Sequence, residues 1–76
     1  MNAQTPDPSK FPNLFIFKNE FDSNRFVEDL TLLFAQNGIT KSLIVREGKN
    51  VNFEATSDRA FRVQLNSEGC AELIFA

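Results

Sequence analysis

The chain has 76 residues, enough for one domain, and a domain of this size buries only about 60% of the surface that its unfolded chain exposes. Nine phenylalanines, with no tryptophan or tyrosine, supply aromatic area that carries no polar atom in need of a buried partner. The net charge of -2, with 42% hydrophobic and 24% charged residues, provides no overall attraction to nucleic acid or anionic lipid.

The first twelve residues, 1–12, combine three prolines with small polar residues and show no hydrophobic periodicity. This composition is typical of a disordered or loosely tethered tail, so we expect one folded domain at residues 13–76. No signal-peptide core and no run of about eighteen apolar residues is present. Cys70 is the only cysteine, which excludes an internal disulfide and a cysteine-based zinc site. We therefore expect a cytoplasmic protein without a membrane partner.

A first strand is predicted at residues 13–18, where a short apolar run is rich in β-forming residues. Leu14 and Ile16 lie on one face of this strand, and Phe15 and Phe17 lie on the other. Because both faces are apolar, the strand either lies centrally and is covered on both sides, or presents one face to another chain.

An amphipathic helix is predicted at residues 23–37, with Asp22 as its N-cap. Phe21 and Phe26 then have the spacing of a hydrophobic staple. Apolar residues recur at helical intervals along one stripe: Phe26, Val27, Leu30, Leu33 and Phe34.

The end of the helix is predicted from Gly38, which occupies the position where a left-handed residue closes a helix. Ile39 follows at the position that contacts Phe34 in a Schellman motif. The helix should therefore stop at about residue 37.

Four more short strands are predicted after the helix, at residues 42–46, 51–56, 60–65 and 70–75. The last connection, residues 67–69, fits a three-residue hairpin loop with Gly69 in the left-handed bulge position. This loop sets a register with three apolar pairs: Phe61 with Phe75, Val63 with Leu73, and Leu65 with Ala71.

A second three-residue loop, at residues 57–59, predicts another hairpin between the two preceding strands. Its register makes three pairs: Phe53 with Val63, Val51 with Leu65, and Glu54 with Arg62 as an ion pair. Both hairpins turn one apolar set toward the helix: Phe53, Phe61, Val63, Leu65, Leu73 and Phe75. The turn at Gly48 leaves open whether Ile44 or its neighbours Leu43 and Val45 face the helix.

The predicted fold class is α+β, with a single amphipathic helix packed on a four- to five-stranded, mainly antiparallel sheet in the order β-α-β-β-β-β. The crossover through the helix makes the first two strands parallel in direction, although they need not be neighbours. The first strand is expected to pair with one of the two edges of the four-stranded meander.

Residues that carry catalysis are scarce, because the chain has no histidine, no tyrosine and one cysteine. Without a base to activate it, Cys70 is interpreted as a structural thiol. There is no Asp-rich metal loop and no phosphate-binding glycine loop. We therefore predict a protein that is not an enzyme, with no catalytic residue, metal or cofactor.

A surplus of apolar residues points to a protein partner. One helix covers one side of the sheet, so one face of the first strand must lie on the other side together with Ile74. Contiguous apolar patches on small proteins often mark sites of contact with other proteins. The alternative is that residues 1–12 fold over this apolar patch and cover it.

The helix adds a second candidate surface, because Leu32 projects away from its apolar stripe and Glu28 and Asp29 form an acidic face. The predicted function is a protein-protein interaction module, a small regulator or inhibitor that binds a partner protein or forms a homodimer through the sheet. The predicted contact residues are Phe15, Phe17, Ile74, Glu28, Asp29 and Leu32.

The alternative is a small nucleic-acid-binding domain that uses five basic residues: Lys41, Arg46, Lys49, Arg59 and Arg62. Three acidic residues in the same segment offset most of this charge. No exposed aromatic pair among the basic residues indicates an RNA-binding sheet. These features disfavour nucleic acid as the partner.

Overall fold

The computed structural model describes residues 13–76, so the predicted tail at residues 1–12 lies outside the described residues. The elements follow in the predicted order: β1 (Leu14–Ile16), α1 (Glu20–Gln36), β2 (Lys41–Glu47), β3 (Asn50–Thr56), β4 (Phe61–Leu65) and β5 (Ala71–Phe75). One helix packs on antiparallel strands, which confirms the α+β class.

The strands form two sheets. β3 lies between β1 and β2 in a three-stranded antiparallel sheet, and β4 pairs with β5 in a separate hairpin. The predicted β3–β4 hairpin is wrong because β1 and β2 occupy the two edges of β3. The predicted Glu54–Arg62 ion pair is wrong for the same reason, and Arg62 instead pairs with Ile74.

The first strand also pairs differently from the prediction, since β1 joins β3 and not an edge of a meander. β1 and β2 are both antiparallel to β3, so they run parallel to each other without being neighbours. This relative direction is the one predicted from the helical crossover.

The helix begins three residues earlier than predicted, with Asn19 and not Asp22 as its N-cap. The side-chain oxygen of Asn19 accepts a hydrogen bond from the backbone N–H of Asp22 at 2.8 Å. Such a bond satisfies one of the N–H groups that the first turn leaves unpaired. The predicted staple is wrong, because Phe21 now lies within the helix and is 73% exposed.

The end of the helix is the predicted Schellman motif. The backbone N–H of Ile39 donates to the carbonyl of Phe34 at 2.9 Å, and that of Gly38 donates to the carbonyl of Ala35 at 3.3 Å. Gly38 has a φ of +73°, in the left-handed region that favours glycine. Ile39 and Phe34 are both buried in the core.

The β4–β5 hairpin has the predicted register, with Leu65 opposite Ala71, Val63 opposite Leu73 and Phe61 opposite Phe75. The backbone N–H of Asn66 donates to the carbonyl of Cys70 at 2.9 Å, which closes the three-residue loop. Gly69 has the expected positive φ, +80°.

The β2–β3 hairpin turns through Gly48 and Lys49, since Glu47 pairs with Asn50. This two-residue loop places Ile44 opposite Phe53, on the side of the helix. The neighbours Leu43 and Val45 point the other way and are 59% and 46% exposed. The question that the sequence left open is settled in favour of Ile44.

The core lies between α1 and the inner faces of both sheets. Its buried apolar residues are Phe26, Leu30, Phe34, Ile39, Val51, Phe53 and Ala71. Of the predicted inner set, Phe61, Val63 and Leu73 are half-buried and pack against this core, and Phe75 contacts Phe61 with ring centroids 6.0 Å apart. Leu65 is 38% exposed, so its predicted burial is wrong.

Ser23 is a polar residue buried completely at the start of the helix. Its Oγ lies 2.9 Å from the carbonyl oxygen of Glu20 and 2.8 Å from that of Gly48. Arg46 Nη1 also donates to the Gly48 carbonyl at 2.8 Å and lies 3.6 Å from Glu20 Oε1. These contacts attach the first turn of α1 to the β2–β3 turn.

We expect Leu30→Ala to lower the free energy of unfolding by about 3 kcal/mol, because Leu30 is fully buried and its truncation leaves a cavity. Leu32→Ala is the matched control on the same helix, where the side chain is 59% exposed and the loss should stay below about 0.5 kcal/mol. Urea unfolding followed by circular dichroism measures both. Equal losses would contradict the burial of this stripe.

We expect Ser23→Ala to lower the free energy of unfolding by about 1 kcal/mol, because it removes a buried hydrogen bond between the helix and the β2–β3 turn. Thr31→Ala is its control, since Thr31 donates to the Val27 carbonyl at 2.7 Å on the exposed surface of the same helix. That change should be neutral or slightly stabilising. If the two variants unfold at the same urea concentration, the Ser23 contact contributes nothing.

Candidate interaction surface

The side of the three-stranded sheet that points away from α1 is called here the outer face. Because buried Val51 and Phe53 point to the helix, the alternate residues of β3 and their partners point away from it. The outer face consists of Leu14, Ile16, Lys41, Leu43, Val45, Glu47, Asn50, Asn52, Glu54 and Thr56.

The apolar residues of the outer face lie on the two edge strands of the sheet, β1 and β2. Ile16 on β1 is 47% exposed, and Leu43 and Val45 on β2 are 59% and 46% exposed. The polar residues of β3 lie between them, with Asn52 directly between Leu14 and Val45. The surface therefore offers aliphatic contacts beside amide hydrogen-bonding groups, a mixture found in protein interfaces.

Phe15 and Phe17, two of the predicted contact residues, pack beneath the helix. The ring centroid of Phe26 lies 4.8 Å from that of Phe15 and 5.1 Å from that of Phe17. Phe15 pairs with the fully buried Val51, and this pairing turns it inward. Their predicted position on the outer face is wrong, and Leu14 and Ile16 occupy it instead.

Ile74 is half-buried and pairs with Arg62, so it belongs to the β4–β5 hairpin and not to the sheet that contains Ile16. It lines a shallow groove with Ala60 and Phe61 at the end of that hairpin. The structure therefore does not place Ile74 on the outer face with the residues of β1.

The helix presents a separate surface away from the sheets. Leu32 is 59% exposed, and Glu28, one turn before it, is exposed as well. Phe21, which the sequence placed in a staple, adds a ring to this surface. Asp29 is half-buried, and its Oδ2 atom is buried without a hydrogen-bond partner among the described residues. The three predicted helix residues thus share one element, but only two of them are exposed.

The five basic residues of the nucleic-acid alternative are dispersed. Lys41 and Lys49 lie at opposite ends of the β2–β3 hairpin, and Arg62 belongs to the other sheet. Arg46 binds the Gly48 carbonyl and Glu20, and Arg59 places its guanidinium carbon 4.3 Å from the centroid of the Phe75 ring. These positions do not form a single basic patch.

Neither a metal-binding group nor a membrane-spanning helix is found in the part of the chain that the structure describes. Within residues 13–76, no group of three Cys, Asp or Glu side chains is arranged to hold a metal ion. α1 is not long and apolar enough to cross a membrane. Cys70 is half-buried, and its Sγ accepts a hydrogen bond from Arg25 Nη2 at 3.0 Å, a contact that the sequence did not predict because 45 positions separate the two residues.

Comparison with known proteins found no match among family models, curated proteins or solved structures. Function is therefore inferred from the surface of this chain alone.

We expect Phe15→Ala to lower the free energy of unfolding by about 2 kcal/mol, because the half-buried ring packs on Phe26 and Phe53. Ile16→Ala, at the next position on the same strand, should cost less than about 1 kcal/mol because Ile16 lies on the outer face. Chemical denaturation measures both. A larger loss for Ile16→Ala would reverse the assignment of the two faces of β1.

Proposed function

We propose that this chain is a non-enzymatic protein-protein interaction module, a small regulator or inhibitor that binds a partner protein or a second copy of itself through the three-stranded sheet. The observation that carries the proposal is the exposure of Ile16, Leu43 and Val45 on the outer face. Burying such side chains contributes about 25 cal/mol per Å² of apolar surface removed from water.

The charges of the outer face support a protein partner over a nucleic acid. Glu47 and Glu54 carry two negative charges there, and Lys41 carries one positive charge. Phosphate groups would be repelled by this balance, whereas nucleic-acid affinity depends on basic side chains that release counterions. The polar row on β3 also supplies amide groups that hydrogen-bond to a protein surface.

The residue inventory supports a role without catalysis. The chain has no histidine or tyrosine to act as a general acid or base. The thiol of its single cysteine, Cys70, contacts Arg25, and the chain has no histidine that could deprotonate this thiol. The single cysteine is consistent with a reducing compartment, so we place the protein in the cytoplasm.

The test compares two leucines that are equally exposed on different surfaces. Leu43 on the outer face and Leu32 on the helix are both 59% exposed, so replacement of either by serine removes the same amount of accessible apolar surface. We expect Leu43→Ser to weaken binding of the partner captured from the native host by about tenfold. Leu32→Ser should bind as the unsubstituted chain does. Isothermal titration calorimetry with the purified partner measures both.

A loss caused only by Leu32→Ser would move the interface to the helix and overturn the assignment to the outer face. Retardation of DNA or RNA in a low-salt mobility shift would favour the nucleic-acid alternative. Circular dichroism of each variant establishes that the fold is intact.

A further inference from the structure

β2 has one open edge in the described chain. It is seven residues long, pairs with β3 on one side only, and is exposed at every position except Ile44. β1, at the other side of the sheet, has only three residues. A long open edge presents unpaired backbone N–H and C=O groups to another strand, whereas a short edge offers few of them.

The backbone groups that point out of this edge follow from the hairpin register. The two-residue loop makes Glu47 and Asn50 a hydrogen-bonded pair, and such pairs then recur at every second residue. On the opposite edge of β3, the N–H of Phe17 donates to the carbonyl of Lys49 at 2.9 Å, which agrees with this alternation. The free groups of β2 therefore belong to the intervening residues: Ser42, Ile44 and Arg46.

The sequence of β2, KSLIVRE, is complementary to its own reverse about Ile44. In an antiparallel pair centred there, Lys41 lies opposite Glu47 of the second copy, and Leu43 lies opposite Val45. Ser42 lies opposite Arg46, and Ile44 lies opposite its own equivalent. Opposite charges meet at both ends, and the exposed aliphatic residues meet between them.

We propose that β2 pairs antiparallel with β2 of a second copy of this chain in the register centred on Ile44. The inference rests on the proposed function as a protein-binding module and identifies the partner as the same chain. The free backbone groups of Ser42, Ile44 and Arg46 then form the hydrogen-bonded pairs. The remaining pairs, Lys41 with Glu47 and Leu43 with Val45, are those in which side chains approach most closely, with Cα atoms about 4.5 Å apart.

Other registers do not produce this complementarity. A slip of two residues in one direction places Lys41 opposite Val45, and a slip in the other direction places Leu43 opposite Glu47. Each leaves a charge facing an aliphatic side chain, where cross-strand pairing contributes little. A slip of one residue would place helix-side residues opposite outer-face residues.

The helix side of the edge also accommodates a second strand. Arg46 folds back onto the Gly48 carbonyl and Glu20. In the proposed dimer its neighbour across the new edge is the small Ser42 of the second copy. Ile44 is half-buried beside a groove between β2 and α1 that is lined in part by Thr31, Ala35 and Thr40. The two Ile44 side chains meet at this groove, which completes their burial.

One pair of seven-residue strands buries less surface than the roughly 1,200 Å² of a standard stable interface. The dimer is therefore expected to dissociate in the micromolar range, and its mass must be measured over a range of concentrations. Sedimentation equilibrium of the full chain, from low micromolar to millimolar, should show a monomer that converts to a dimer.

Charge exchange tests the register. Lys41→Glu and Glu47→Lys each place like charges opposite each other at both ends of the dimer and should weaken it about tenfold. The double variant, and an equimolar mixture of the two single variants, should both restore the unsubstituted affinity. The fold is not perturbed, because Lys41 and Glu47 lie opposite the neutral Thr56 and Asn50 within the monomer.

Leu32→Ser on the helix, outside the sheet, is the control and should leave the dimer unchanged. A chain that stays monomeric at all concentrations overturns the self-pairing, while the Leu43 and Leu32 comparison still tests the protein-binding function. If Ile16→Ser on β1 disrupts the dimer while the charge exchanges leave it intact, the two copies pack through the outer face. That result also overturns the edge register.

Discussion

Phe34 packs edge-on against one ring from each sheet. Its centroid lies 5.8 Å from that of Phe53 on β3 and 6.0 Å from that of Phe61 on β4. Among the described residues, no strand of one sheet pairs with a strand of the other. Packing against the helix therefore joins the two sheets into one unit. Phe26 packs on two further rings, Phe15 of β1 and Phe17 just after it, and so attaches β1 to the helix. Since all these rings are phenyl groups, none brings a polar atom that must find a partner in the core.

The same arrangement explains why one surface of the sheet stays exposed. A single helix covers the inner faces of the strands, and within residues 13–76 three aliphatic side chains of the outer face remain exposed: Ile16, Leu43 and Val45. β2 lies at the side of the sheet and is held by β3 alone, so both its backbone edge and its aliphatic side chains stay accessible. The structural role of the helix thus leads directly to the proposed interaction through the sheet.

Predictions based on neighbouring residues were confirmed only where no distant segment competed. The Schellman motif and the β4–β5 register depend on contacts within a few residues, and both were confirmed. The β3–β4 hairpin failed because β1, far away in the chain, occupies an edge of β3. The N-cap failed because Asn19 and Asp22 are both suitable capping residues. In the observed helix, which Asn19 caps, the buried Ser23 contacts the carbonyl of Gly48, a residue distant in the sequence.

The order of the elements, the apolar stripe of the helix and the turns that end it were determined by the sequence itself. The tertiary structure decided which face of β1 is buried and whether Ile44 or Leu43 points to the helix. Alternation along a strand requires successive side chains to point in opposite directions, but it does not state which direction leads to the core. For a strand that is apolar on both faces, that choice comes from pairing with β3, whose Val51 and Phe53 lie against the helix.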